Sequence, residues 1–477
     1  MGISFESTTA LARMLRDRRI SSVELLQETL AAYERYNDLV NAVVVTQIEQ
    51  AFDQARQADQ ELSDGRIRGP LHGIPMTVKE SFDWVGTPTT VGDPAFTGNF
   101  PETTAVPVQR LQAAGAIVYG KTNVPMHLAD AQSFNDVYGT TNNPWALDRV
   151  AGGSSGGSAV ALASGMTSLE LGSDIAGSLR NPAHYCGVFG HKPTYGMVPS
   201  DGHGLPGTHA DLDIQVVGPM ARTAADLDLA MGILAGDAYR RTSGGRTLAN
   251  FRVAVVLESP FLRQDPELTE QLRTGIDLLK DAGLTVEFDA RPDVDAERTI
   301  DVHMLLLRAA TGAAKPVAPR AADIAADLER FRAGARDRPA FEARGHDLSY
   351  REWWELHNER ERERAVWTAF FRDYDLLLCP TSASAAPAHD HRPNRFAPSP
   401  SAQPGVRHEP LYWALWPGVA YLPSTVVPFG LTQSGLPCGL QVVAPHGADA
   451  LGIQFAGLVE QTLGGFQPAP LVSSGRP

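Results

Sequence analysis

Two glycine-rich serine turns and one lysine are the residues best suited to chemistry in this chain of 477 residues. The first turn is Gly152-Gly153-Ser154-Ser155-Gly156-Gly157-Ser158. The second is Asp174-Ile175-Ala176-Gly177-Ser178-Leu179-Arg180. Ser154 and Ser178 are candidate nucleophiles, because glycine lets the backbone approach a bound group and turn its N–H donors inward. The lysine is Lys79, at the end of the apolar run Gly73-Ile74-Pro75-Met76-Thr77-Val78. Lysine is seldom buried without a partner, and desolvation lowers its pKa toward neutrality, where the free amine is a base. A strand-end lysine whose head reaches solvent is the plainer alternative. Serine, lysine and backbone N–H donors suffice for acyl transfer without histidine. One serine would attack and the other relay its proton to Lys79, which acts first as base and then helps protonate the leaving amine. The N–H groups of Ile175, Ala176, Gly177 and Ser178 are the expected oxyanion donors. Asp174 and Arg180 are expected to brace this turn as an ion pair.

Other motifs compete for the same residues. Residues 152–156 and 153–157 both satisfy G-x-S-x-G, the nucleophile elbow of α/β-hydrolase-type esterases, with His446 available as the histidine. That elbow needs a strong strand just before it, and 142–149 reads as loop. A phosphate-binding loop lacks its Gly-Lys-Ser/Thr ending. His389-Asp390-His391 has no third ligand at a recognisable spacing and reads as a solvated loop, so no metal is expected.

The elements that must position these residues follow an α/β rhythm. The first 65 residues read as helical, with Ser21 and Glu24 as a capping box. A strand is expected over 74–78, a helix over 106–114, a strand over 116–119, a helix of small residues over 155–165 and a strand over 168–172. The rhythm repeats with strands at 252–256 and 285–288 around a helix at 268–282. Residues 319–371 read as helical, with Ser349 and Glu352 as a second capping box. Residues 380–410, rich in Pro, Ala and Ser, read as an irregular surface loop. Strands return at 426–428 and 439–443. The reading is one α/β domain over 1–477, with a helical segment at 1–65 and a more helical, variable insertion at 295–415. The pocket is expected from 127–135, 200–215 and that insertion. Trp353, Trp354, Trp413, Trp416 and Tyr421 are candidates for an apolar site, with core packing as the alternative for each.

Composition is that of a globular protein, with 43% apolar and 20% charged residues. A net charge of −14 argues against a nucleic-acid surface. No run has the length of a membrane span, and the N-terminus lacks the pattern of a signal peptide. Cys186, Cys379 and Cys438 are few, odd in number and widely spaced. That fits reduced thiols in a cytoplasmic protein, with Cys379 as a buried strand residue.

At these residues the chain resembles the amidase signature family. The match covers most of the chain and is strongest from about Leu71 to Arg222. It includes His72-Gly73-Ile74-Pro75 ahead of Lys79, Gly120-Lys121-Thr122-Asn123, both serine turns, and Cys186-Gly187-Val188-Phe189-Gly190-His191-Lys192-Pro193-Thr194. Weaker matches lie at 376–381 and 435–441. The resemblance implies a Ser–cis-Ser–Lys triad, with Ser178 as nucleophile, Ser154 following a cis peptide bond and Lys79 as base. It implies support from Ser155 by hydrogen bonding, and an open, twisted, mixed β-sheet with helices on both faces. The implied activity is a serine hydrolase cleaving a carboxylic amide through an acyl-enzyme, with carbamates and esters open to the same chemistry. The expected substrate is therefore a small-molecule amide, carbamate or ester, with no cofactor, no nucleic acid, no membrane, and a homodimer as the assembly. The rival is the glutamine-hydrolysing component of a tRNA-dependent amidotransferase; the long insertion and Trp413/Trp416 fit a free-standing hydrolase better. The chain departs from the family at Ala176, where many members have glycine. That change keeps the N–H but reshapes the acyl pocket.

Overall fold

The computed structural model describes residues 2–242, 245–313, 321–393, 395–396 and 411–473. Its frame is one mixed sheet, with two small ribbons beside it. The strands of the first half are β1 (Val43–Thr46), β2 (Pro75–Lys79), β3 (Ile117–Thr122), β4 (Phe134–Asn135), β5 (Gly139–Thr140), β6 (Asn142–Asn143), β7 (Ala146–Val150), β8 (Leu169–Asp174), β9 (Phe189–Lys192) and β10 (Val216–Ala221). Those of the second half are β11 (Arg252–Val255), β12 (Thr285–Phe288), β13 (Leu376–Pro380), β14 (Ser424–Leu431) and β15 (Pro437–Val443). The main sheet has 11 strands in the order β1-β3-β2-β8-β10-β9-β14-β15-β13-β11-β12, while β4–β5 and β6–β7 form the ribbons.

β2 lies between β3 and β8 and runs parallel to both. All five of its residues are buried, as expected of a parallel strand covered on both faces. The period-two alternation of a strand divides them. Met76 and Val78 enter a large apolar core with Leu169 and Leu171 of β8. Thr77 and Lys79 take the opposite face, where the helix Gly156–Ala163 packs. In the second half, Val253, Val255, Leu376 and Leu378 join the first core, while Ala254, Leu377 and Cys379 join another. Helices Ala224–Leu234, Pro266–Asp281 and Asp449–Leu463 fill the first core; Ala296–Ala313 and Tyr412–Gly418 fill the other, and Gly156–Ala163 with Arg180–Cys186 a third. The sheet is thus covered on both faces. No helix among the described residues is long and apolar enough to cross a membrane.

Several expectations need correction. The first 65 residues hold three α-helices and the Ser21/Glu24 box, but Val43–Thr46 is a strand paired antiparallel with β3. The stretch before the first serine turn is the ribbon β6–β7 rather than loop. Strands β9 and β10 fall outside the elements expected from the sequence. The segment after β13 is no surface loop at its start: Thr381, Ser382, Ala383, Ala385 and Ala386 are buried. Residues 397–410 lie outside the described residues.

The helix Gly156–Ala163 sits directly on backbone. Gly157 donates to the Asn123 carbonyl at 3.2 Å, and a Cβ there would lie 2.8 Å from the Ala42 carbonyl oxygen and closer still to the Asn123 nitrogen. Alanine gains about 1 kcal/mol of helix propensity over glycine, but overpacking against immobile backbone costs about 1–3 kcal/mol. Gly157→Ala is therefore expected to lower the denaturant midpoint, and an unchanged or raised midpoint would refute the close approach.

Candidate active site

Lys79 ends β2 with no exposure to solvent. Its Nζ donates to Ser154 Oγ at 2.7 Å and to Ser173 Oγ at 2.9 Å. Burial lowers its pKa to about 7, against the carboxylates of Asp174 and Glu170, which raise it. The Gly153–Ser154 peptide bond is cis. Ser155 joins the two turns. Its N–H donates to the Ser178 carbonyl at 3.1 Å, and its hydroxyl donates to the Ser173 carbonyl at 3.3 Å. Among the described residues, the Ser178 hydroxyl has no protein hydrogen-bond partner; it lines the cavity described below.

Asp174 organises the Ser178 turn. Its oxygens accept from the N–H of Gly177 at 2.8 Å and of Leu179 at 3.0 Å, and from Arg180 Nη2 at 2.8 Å and Nε at 3.0 Å. Both side chains of this ion pair are fully buried. Burial alone would raise the Asp174 pKa, but the Arg180 guanidinium and these hydrogen bonds hold it well below the usual carboxylate range. Gly177 has φ +108°, a conformation that favours glycine, and a Cβ there would lie 2.9 Å from Ala414 Cβ. Of the four expected oxyanion donors, the Gly177 N–H is engaged by Asp174, whereas the N–H groups of Ile175, Ala176 and Ser178 have no protein acceptor among the described residues.

Beside these turns opens a cavity of about 1010 Å³. Ser154, Ser173, Ser178, Ile175 and Ala176 form its serine-bearing wall. Leu128 and Asp130–Gln132 form a second side, and Leu205, Leu212 and Gln215 a third. Ile300, Met304 and Leu307 of Ala296–Ala313, with Phe341 of Arg338–His346, supply an apolar side. At the rim, Arg395 donates to Asp130 at 2.8 Å and Arg338 to the Ala129 carbonyl at 2.6 Å. None of the five aromatic candidates lines it. Trp413 and Trp416 are core residues, Trp353 packs at the edge of that core, Trp354 is exposed, and Tyr421 stacks on Tyr195 at 4.3 Å. His446 does not line the cavity either. His391 packs on Phe134 at 4.3 Å, and no metal-binding cluster occurs among the described residues.

Ser173 is the residue that sequence reading missed; its signal was a hydroxyl between Gly172 and Asp174 on the strand leading to the nucleophile turn. Glu170 was missed as well, although a charged residue inside an apolar strand was visible. His203 is a third. Its ring is buried against Phe82 at 4.6 Å, and burial, then the nearby Lys79 charge, lower its pKa to about 3.

Comparison with known proteins defines the class to which this fold belongs. A family model described as Amidase matches residues 24–451. One component of the glutamyl-tRNA(Gln) amidotransferase of Cyanothece sp. is 30% identical over 481 residues, covering 95% of this chain and 97% of that protein. Indoleacetamide hydrolase of Bradyrhizobium diazoefficiens is 30% identical over 475 residues, covering 96% and 86%. Among solved structures, an amidase superposes with TM-score 0.77 at 28% identity, covering 96% of this chain and all (100%) of that one. A bacterial aryl acylamidase gives 0.81 at 24% identity over 99% of both chains, a likeness of fold. The chain belongs to the amidase signature family.

Two outcomes follow from the geometry. If Lys79 is the base, its pKa of about 7 makes kcat/KM rise through neutral pH as it loses its proton. A flat profile between about pH 6 and 9, with chemistry rate-limiting, would reduce Lys79 to a structural role. Ala176→Gly retains the N–H and removes one methyl from the cavity wall, a change worth about 1–3 kcal/mol between substrates. Relative rates across a series of acyl lengths are expected to change, and identical series would show that residue 176 does not meet the acyl group.

Proposed function

We propose that this chain hydrolyses a carboxylic amide by way of an acyl-enzyme on Ser178. The contact between Lys79 Nζ and Ser154 Oγ, 2.7 Å long and buried beside the cavity, carries the reading. Neutral Lys79 takes the Ser154 proton while Ser154 takes that of Ser178, whose oxygen attacks the amide carbonyl. The N–H groups of Ile175, Ala176 and Ser178 meet the developing oxyanion. The same proton returns through Ser154 to the leaving amine, and water then releases the acyl group by the reverse path.

The apolar side of the cavity favours an amide with a hydrophobic acyl or amine portion. Carbamates and esters pass through the same tetrahedral chemistry and belong in the substrate panel with aryl and short alkyl amides. The similarity to the glutamyl-tRNA(Gln) amidotransferase component supports a second reading, release of ammonia from glutamine for a partner protein. Gel filtration of the lone protein with parallel amide and glutamine assays separates the two. Ser178→Ala is expected to abolish turnover in a folded protein, and a fluorophosphonate to label wild type at Ser178. Activity in that variant, or a label on another residue, would overturn the mechanism.

A further inference from the structure

The helix Ala296–Ala313 meets the nucleophile turn as well as the cavity. Ile300, Met304 and Leu307 line the cavity, whereas His303, beside Met304, is wholly buried and turns elsewhere. Its Nε2 lies 3.2 Å from the Ile175 carbonyl oxygen, and its Nδ1 lies 3.1 Å from the Leu415 carbonyl oxygen of the helix Tyr412–Gly418. The ring therefore joins two helices to the turn that carries Ser178. Glycine at 418 leaves room for it: a Cβ there would lie 3.0 Å from the ring Cε1, so a larger residue would press on the imidazole.

Where the ring proton sits follows from what each carbonyl already has. Burial, then the Arg180 charge, keep the imidazole neutral with a pKa lowered to about 4, and a neutral ring carries one N–H. The Leu415 carbonyl already accepts from the Val419 N–H at 3.2 Å. The Ile175 carbonyl has no other donor among the described residues. An unpaired backbone carbonyl in the interior is costly, so the proton belongs on Nε2, donated to Ile175. The Ile175 C=O and the Ala176 N–H belong to one planar trans unit and point in opposite directions. With its carbonyl turned to His303, this unit turns the Ala176 N–H away from the ring. That N–H has no protein acceptor, and Ala176 lines the cavity. Asp174 fixes the turn from the Gly177 N–H onward, so His303 supplies the hydrogen bond that fixes the unit before it.

We propose that His303 is a positioning residue for the oxyanion site: by holding the Ile175 carbonyl, its ring keeps the Ala176 N–H aimed at the oxygen of the reacting carbonyl group. The proposal rests on the reading of Ser178 as the acylated nucleophile. The ring itself touches neither substrate nor cavity; it acts through one peptide unit. An oxyanion exists only once the serine has attacked, so a misaimed donor slows the reaction and leaves binding of the amide nearly as it was.

The test compares His303→Leu, which fills the ring's space without a donor, with His303→Gln, whose amide N–H can stand where Nε2 stands. On the best amide of the substrate panel, His303→Leu is expected to lose about 10–100-fold in kcat, short of the 10²–10³ for loss of an oxyanion donor itself. KM is expected to stay within about twofold of wild type. His303→Gln is expected to recover most of the loss, which a role in packing alone would not give. Phenylboronic acid, whose adduct on Ser178 places a boron-bound oxygen at the oxyanion site, is expected to bind His303→Leu more weakly by the same factor as kcat/KM. If His303→Leu does not fold, His303→Ala removes the donor with no new shape to fit, and a chain that folds with neither overturns the proposal by making the contact structural. Wild-type kcat in the donorless variant, a loss lying wholly in KM, a loss that His303→Gln does not relieve, or unchanged boronate affinity overturns it as well. The two readings fail separately: unchanged kcat in His303→Leu with a fluorophosphonate on Ser178 of wild type removes only the role of His303, whereas a label on another residue removes the nucleophile.

Discussion

The ion pair of Asp174 and Arg180 is the contact on which the site depends. One partner ends β8 and the other begins the helix Arg180–Cys186, so the pair closes the turn that carries Ser178. Arg180 reaches further, donating to the Ala414 carbonyl at 2.7 Å and to Gln441 Oε1 at 2.9 Å. Gln441 in turn donates to the Trp413 carbonyl at 2.8 Å, so the turn, β15 and the helix Tyr412–Gly418 share one polar network. A buried pair of this kind adds little net stability over apolar residues of the same volume, but breaking one partner leaves a stranded charge. Its use here is geometric: the guanidinium fixes how far the turn stands from the sheet.

The same low-dielectric interior treats lysine differently. Among the described residues three lysines are buried, and burial depresses each: Lys79 and Lys192 to about 7 and Lys121 to about 8. Burial alone therefore does not set one lysine apart from the others. What distinguishes Lys79 is its partners. Lys192 donates to the carbonyls of Pro193 and Leu422, and Lys121 to the Pro88 carbonyl and the Thr89 hydroxyl. A carbonyl has no proton to surrender, and the Thr89 hydroxyl is not among the residues lining the cavity. Both partners of Lys79 are serine hydroxyls that line the cavity, so a neutral amine at that position has something to deprotonate.

Where the chemistry was written in local pattern, the sequence revealed it. A lysine closing an apolar run and serines among glycines stand out without any partner, and Lys79 and Ser154 do meet. Ser173 did not stand out, because its contact with Lys79 exists only once β2 and β8 are aligned, 94 residues apart in the chain. The engagement of Gly177 was local and could have been read, since an aspartate three residues ahead of an N–H is a common acceptor. Val43–Thr46 is a β-branched run whose strand propensity was hidden between two helices. The aromatic residues failed for another reason: core and cavity wall are both apolar, and composition does not tell them apart. The buried stretch after β13 reads as surface because Ala, Ser and Pro are common in loops, yet small side chains also permit close packing.

The cavity draws its sides from two kinds of structure. The serine–lysine wall borders the interior strands β2 and β8, whereas Ile300, Met304, Leu307 and Phe341 belong to helices that add no strand to the sheet. The serine-bearing wall and the apolar side of the cavity are thereby carried by separate elements, so side chains on those helices can be exchanged without disturbing the register of β2 and β8.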